Sequence, residues 1–259
     1  MYGSGVIPRS KALPDTLGYR KRIGVVVPST NTTVQPETEM VRLPGVTLHT
    51  GRVTIIERPL NTEQAFLDHM QMMRDGIGTA IDQIMTAGLD HLILGIALES
   101  FWGGVAAADK LKADLAQRAG VGITMGSFAA VAALQKFGAR RIAVLTPHHP
   151  RGDEMVRAYF VEAGFDVVRL KGLKCATPRA IAQVPPRDIR NALVELDGSD
   201  VDALLTLGTA LPAANVAADA ERWLDKPVLA VNVVSYWHAV RACGIADRVL
   251  GHGRILEEF

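Results

Sequence analysis

The chain has 259 residues, with 28 Lys and Arg against 27 Asp and Glu and a formal net charge of +1, enough length to bury a core as one large domain or two small ones. The even balance, without a basic stripe or an acidic tail, argues against a nucleic-acid partner or an electrostatic membrane role, and no segment reaches the roughly 18 consecutive apolar residues of a membrane span. The two cysteines, Cys175 and Cys243, lie too far apart to form a disulfide framework or a zinc site, which points to a cytoplasmic chain.

Residues 1–20 carry Arg9, Lys11 and Asp15 and lack the apolar run of a signal peptide; they read as an N-terminal extension, mobile to about Tyr19. KRIGVVV, from Lys21, predicts a buried parallel strand that Pro28 stops. The turn after it, with Ser29, Thr30, Asn31, Thr32 and Thr33, admits two readings: a grip on a small carboxylate at the carboxyl end of a strand, or a plain helix-capping cluster. A short helix over Gln35 to Arg42 and a strand over Val46 to Ile56 follow. Thr62 to Ala87 places Phe66, Met70, Met73, Ile77, Ile81 and Ile84 on one helical face, a core stripe. HLILGIA, from His91, is the third strand, Gly103 to Ala119 a helix, Gly122 to Met125 a short strand, and Ser127 to Phe137 a helix closed by Gly138.

The second half repeats this plan. RRIAVLTP, from Arg140, has the form of KRIGVVVP. It leads to a helix over Asp153 to Ala163, the strand FDVVRL, an irregular stretch and a helix over Pro186 to Leu196. VDALLTLG, a helix over Ala213 to Leu224, the strand KPVLAVN and a helix over Val233 to Ala242 complete the half. LGIAL, from Leu94, recurs as LGTAL, from Leu207, so two copies of one β/α unit are expected. The predicted fold is α/β, with two pseudo-symmetric, doubly wound parallel-sheet lobes over residues 21–138 and 139–259 and the last helix a candidate for exchange between them. The site is expected between the lobes, because ligands of open parallel sheets bind beyond the carboxyl ends of the strands. Four turns would meet there: Pro28 to Thr33, Leu94 to Phe101, Thr146 to Gly152 and Leu207 to Ala213.

VVVPSTNTTVQPE, SFWGG after the third strand, the TP that opens the second half, LGTAL and KPVLAVNVVSYWHAVRACG together resemble the Asp/Glu racemase superfamily, in its branch of maleate cis-trans isomerases and arylmalonate decarboxylases. The resemblance runs from about Arg22 to Gly253. It implies a cofactor-independent, metal-free enzyme acting on a small carboxylate or dicarboxylate by isomerisation, decarboxylation or related proton transfer, and it suggests a homo-oligomer. Asn31 matches the asparagine that holds a substrate carboxylate, with Ser29, Thr30 and Thr32 in the same turn. Asn232 matches the asparagine before the helix that carries Trp237, and Thr209 keeps a threonine donor. The family cysteines, however, fall on Gly208 in the second lobe and on Gly95 or Ile96 in the first, so no thiol stands there.

An acid and an imidazole remain near the expected cleft. Glu99 and His148 form the candidate acid/base pair, with Ser100 and Thr209 as donors rather than nucleophiles. Two further readings stay open: a non-catalytic carboxylate-binding protein, and a hydrolase or hydratase that uses Glu and His where relatives use Cys.

Overall fold

In the computed structural model, residues 15–259 are described. The extension expected over 1–20 therefore lies outside the described residues for its first fourteen positions. From Asp15 the chain is tied down: the Asp15 carboxylate accepts the N–H groups of Leu17 and Gly18, and Arg20 makes a two-pronged ion pair with Asp247 at 2.7 Å.

Eight strands form two four-stranded parallel sheets. The first contains β1 (Lys21–Pro28), β2 (Val46–Val53), β3 (His91–Leu94) and β4 (Gly122–Met125), in the order β2-β1-β3-β4. The second contains β5 (Arg141–Thr146), β6 (Asp166–Gly172), β7 (Ala203–Thr206) and β8 (Val228–Ala230), in the order β6-β5-β7-β8. The identical order confirms the internal repeat. The inner strands β3 and β7 are buried along their whole length, as strands covered on both faces must be, whereas the edge strands β2 and β6 are half-buried.

The helices are α1 (Val34–Met40), α2 (Glu63–Met85), α3 (Gly104–Ala119), α4 (Gly126–Lys136), α5 (Pro150–Glu162), α6 (Pro178–Ile181), α7 (Pro186–Leu196), α8 (Ala214–Leu224), α9 (Val231–Ala242) and α10 (Arg254–Glu258). A 3-10 turn covers Leu98–Ser100. Several boundaries differ from expectation. β2 stops at Val53, opposite Pro28, because its one neighbour ends there, so residues 54–60 become a loop. α5 begins at Pro150, a residue whose missing N–H suits the first turn. α9 begins at Val231, directly after β8, which places Asn232 in the first helical turn and not at a strand end.

Alternation along β1 divides the core. Ile23, Val25 and Val27 face a cluster shared with the second sheet, while Val26 joins Leu92, Leu94 and Ile81 on the side of α2 and α3. The helix α9 follows the last strand of the second sheet but packs against α1, α4, β3 and β4 of the first. Its fully buried Tyr236 accepts the backbone N–H of Leu43 at 2.8 Å, and Gly126 allows the close approach of Val231, whose methyl would lie 2.9 Å from any Cβ at that position.

Tyr236→Phe keeps the packing and orphans the Leu43 N–H. Thermal unfolding of this variant should show a loss of about 1–3 kcal/mol, and an unchanged midpoint would show that the tie between α9 and the first lobe is energetically idle.

Candidate active site

All four expected turns line one cavity at the carboxyl ends of the strands. Thr30 and Asn31 follow β1, Ile96 to Leu98 follow β3, His148 follows β5, and Gly208 to Ala210 follow β7. Leu60 from the loop after β2, and Pro178 and Ile181 from α6, also line it. Those two segments meet where Leu60 N–H donates to Ala176 O at 3.2 Å and Arg179 pairs with Glu57. The cavity volume is about 70 Å³, on a scale where one water needs roughly 10–15 Å³. That is room for a molecule of a few heavy atoms.

The two halves are locked together at this point. Asn31 Oδ1 accepts the N–H groups of Thr33 and Val34 at the start of α1, and its Nδ2 donates to Thr209 Oγ1 at 3.3 Å. Thr209 Oγ1 in turn donates to Gly95 O at 2.9 Å. The helix-capping reading of the Ser29–Thr33 turn is met in Asn31, which caps the start of α1 and also lines the cavity. Asn232 does not line it; its Nδ2 donates to Thr209 O and to Glu37 Oε2, so it holds the turn from behind. Thr33 Oγ1 donates to Ala210 O at 2.8 Å. Among the described residues, the backbone N–H groups of Thr30, Ile96, Ala97, Thr209 and Ala210 make no hydrogen bond to protein.

His148 is placed by its own turn. Its N–H donates to Thr146 Oγ1, which is itself held by Asp153 in the first turn of α5. His148 lines the cavity, and its Nε2 is buried with no partner. Burial, followed by the neighbouring His149, pushes its pKa down to about 3, so the ring is neutral at physiological pH. A second imidazole, His69, lines the cavity from α2; burial also lowers its pKa, against an opposing pull from Glu57. Sequence reasoning missed His69. It lies between Phe66 and Met70 on a face read as core, and only its polarity on that stripe could have signalled it.

The structure does not bring Glu99 and His148 together at the cavity. Glu99 is 2% exposed, in the 3-10 turn, and its Oε2 accepts from Arg74 Nε at 2.9 Å. Burial raises its pKa and the Arg74 bond opposes the rise. Arg74 also lies over Trp102, which stacks on Phe66. Of the predicted donors, Ser29 Oγ accepts from Ile55 N, Ser100 Oγ donates to Ala97 O, and Thr32 is exposed on a groove outside the cavity. Cys175 and Cys243 are half-buried and do not line the cavity, and burial raises both thiol pKa values. Among the described residues no group of three or more His, Cys, Asp or Glu is placed to hold a metal ion, and no helix is long and apolar enough to cross a membrane.

Residues 23–256 match the family profile of arylmalonate decarboxylase. The maleate isomerase of Nocardia farcinica is 27% identical over 250 residues, covering 92% of this chain and 96% of that protein. The arylmalonate decarboxylase of Bordetella bronchiseptica is 25% identical over 169 residues, 64% of this chain and 70% of that one. In fold, a solved Nocardia farcinica maleate cis-trans isomerase, a cysteine-to-serine variant with a covalently bound succinylcysteine intermediate, superposes with a TM-score of 0.85 at 24% identity, covering 92% of this chain and 99% of that one. A solved arylmalonate decarboxylase gives 0.73 at 20% identity, covering 91% and 98%.

Gly208 has φ +98°, and a Cβ there would lie 2.4 Å from two ring carbons of Pro147. Gly208→Cys should therefore cost about 1–3 kcal/mol of stability from backbone conformation alone, measured by chemical denaturation. A variant as stable as the parent would show that the turn moves aside without cost.

Proposed function

Because the chain belongs to the arylmalonate decarboxylase family, we propose that it is a cofactor-independent enzyme that moves a proton at the carbon beside the carboxylate of a small acid or diacid. The imidazole of His148 takes the part that a thiol plays in relatives. One observation carries this reading: His148 lines the cavity at the point where the strand ends of both lobes converge, and its Nε2 is buried with no partner in the protein.

An anion entering the cavity meets backbone N–H groups, the amide of Asn31 and two neutral rings, and no cationic side chain lines the wall. Its charge favours protonation of His148, reversing the effect of burial. In a decarboxylation, the bond from carbon to the departing carboxylate breaks and its electron pair passes into the remaining carboxylate as an enediolate. The proton on His148 Nε2 then forms the new C–H bond, leaving CO2, the monoacid and a neutral ring that reloads from solvent. In an isomerisation by proton transfer, the neutral ring removes a proton from that carbon and one is returned. The N–H groups around the cavity suit the enediolate common to both routes. A thioether route, as implied by the succinylcysteine in the relative, would need a cysteine thiol at the cavity, and among the described residues the wall includes no cysteine. The same reading carries the division into lobes near Gly138, a homo-oligomeric assembly and a cytoplasmic setting.

The test is turnover of phenylmalonate, with maleate beside it as an acid without a saturated carbon next to its carboxylate that should not turn over by this route, followed by proton NMR in heavy water, beside calorimetric binding of malonate. His148→Gln should lower turnover by about 10²–10⁴-fold and should abolish the proton uptake that accompanies malonate binding near pH 7 in the parent. Full turnover in His148→Gln would remove the ring from the mechanism, and tight binding with no turnover of any acid would make this a binding protein. In the ligand-free protein the depressed pKa of His148 has a definite sign: its neutral form is the folded one, so its contribution to stability is complete above the ordinary histidine value and is lost as pH falls towards about 3.

A further inference from the structure

Behind the cavity, on the far side of the turn after β7, sits a carboxylate that the proposed reaction does not use. Glu37, in the first turn of α1, sends Oε1 to the N–H of Ala214 at 2.9 Å, at the start of α8, and Oε2 to Asn232 Nδ2 at 2.6 Å. Asn232 Nδ2 passes its other hydrogen to Thr209 O at 3.0 Å. One acid from the first lobe thus holds α8, α9 and the Leu207–Ala213 turn of the second. That turn carries two of the unengaged N–H groups beside the cavity.

We infer that Glu37 is a positioning residue, which fixes the Leu207–Ala213 turn through Asn232 and so sets the anion-binding N–H groups of Thr209 and Ala210. The consequence for substrate rests on the function proposed above, while the structural link does not.

The direction of the bonds makes the link depend on charge. An ionised carboxylate accepts from both Ala214 and Asn232, whereas a protonated one turns an O–H towards one of two donors and loses a bond. Burial, opposed by the bonds from Ala214, Asn232 and Ala213, pushes the Glu37 pKa up to about 7. Among the described residues no charged side chain pairs with it. Glu39 on α1 pairs with Arg42 just beyond it, Asp219 on α8 pairs with Arg222, and Asp219 shares the outer groove with Glu37 without bonding to it. The turn is accordingly held most firmly above neutrality and loosens as pH falls through about 7.

Hydrogen exchange at pH 8 on the ligand-free protein reads this directly. In Glu37→Gln the amides of Leu207, Leu211 and Ala213 should exchange about fivefold faster or more than in the parent. Asn232→Ala should do the same, and the double variant should add little, because both changes cut one chain of bonds. Malonate binding should be about tenfold weaker in Glu37→Gln at pH 8, with the difference shrinking at pH 6, where the parent is itself protonated. Unchanged exchange in both single variants, with circular dichroism showing folded protein, overturns the inference, as does a binding deficit equal at both pH values. If the parent binds no malonate, phenylmalonate or maleate, the functional reading falls and the exchange data alone decide the role of Glu37.

Discussion

The bond between Asn31 and Thr209 is the constraint on which the site depends. Each side chain sits at the carboxyl end of a first strand or third strand in opposite halves, and each is committed in two directions: Asn31 to the start of α1, Thr209 to the carbonyl of Gly95. Because both are nearly fully buried, breaking their contact would leave polar groups unsatisfied in a low-dielectric setting. The cavity exists because these commitments hold two strand ends apart by a fixed distance while leaving the neighbouring N–H groups free. Asn232, Thr33 and Glu37 reinforce the same junction from the side away from the cavity.

The electrostatics follow from the same geometry. A cavity walled by Ile96, Ala97, Leu98, Met73 and Leu60 strips water from whatever enters, which strengthens each remaining polar contact. The polar groups around it are backbone dipoles, the Asn31 amide and imidazole rings, and on the function proposed above such a wall would favour a charge that spreads during the reaction over a localised ground-state carboxylate. Two nearby cations are engaged elsewhere: Arg74 bonds Glu99 and lies over Trp102, and Arg52 donates to the carbonyl of Asn31.

The repeat was legible in the sequence because parallel strands buried on both faces are written as continuous apolar runs, and KRIGVVVP and RRIAVLTP differ little in that respect. The convergence of four turns followed from it, since a repeated sheet has its strand ends at equivalent places. Glu99 shows where that reasoning stops. Its proximity in sequence to Leu98, which lines the cavity, says nothing about direction, and the 3-10 turn sends its carboxylate to Arg74, a partner 25 residues away. His69 was hidden for the converse reason: helical spacing identifies an inward face, but the same face that packs Met70 into the core presents His69 to the cavity. The motif places Asn232 at the ligand, while its Nδ2 is engaged by Glu37, 195 residues distant, and by Thr209 O.

The path of α9 has a consequence for how the protein is made. Residues 231–242 cover β3 and β4, which were synthesised more than a hundred positions earlier. During translation the first sheet can pair its strands as soon as Met125 has emerged, yet one part of its apolar face has no cover until α9 leaves the ribosome. Contacts this remote in sequence are slow to close, and exposed apolar strands are prone to wrong association while they wait. The first half is therefore a dependent of the second: release of a chain truncated before Val231 yields a sheet with an open flank, and a helix made more than a hundred residues later decides whether the first lobe is finished.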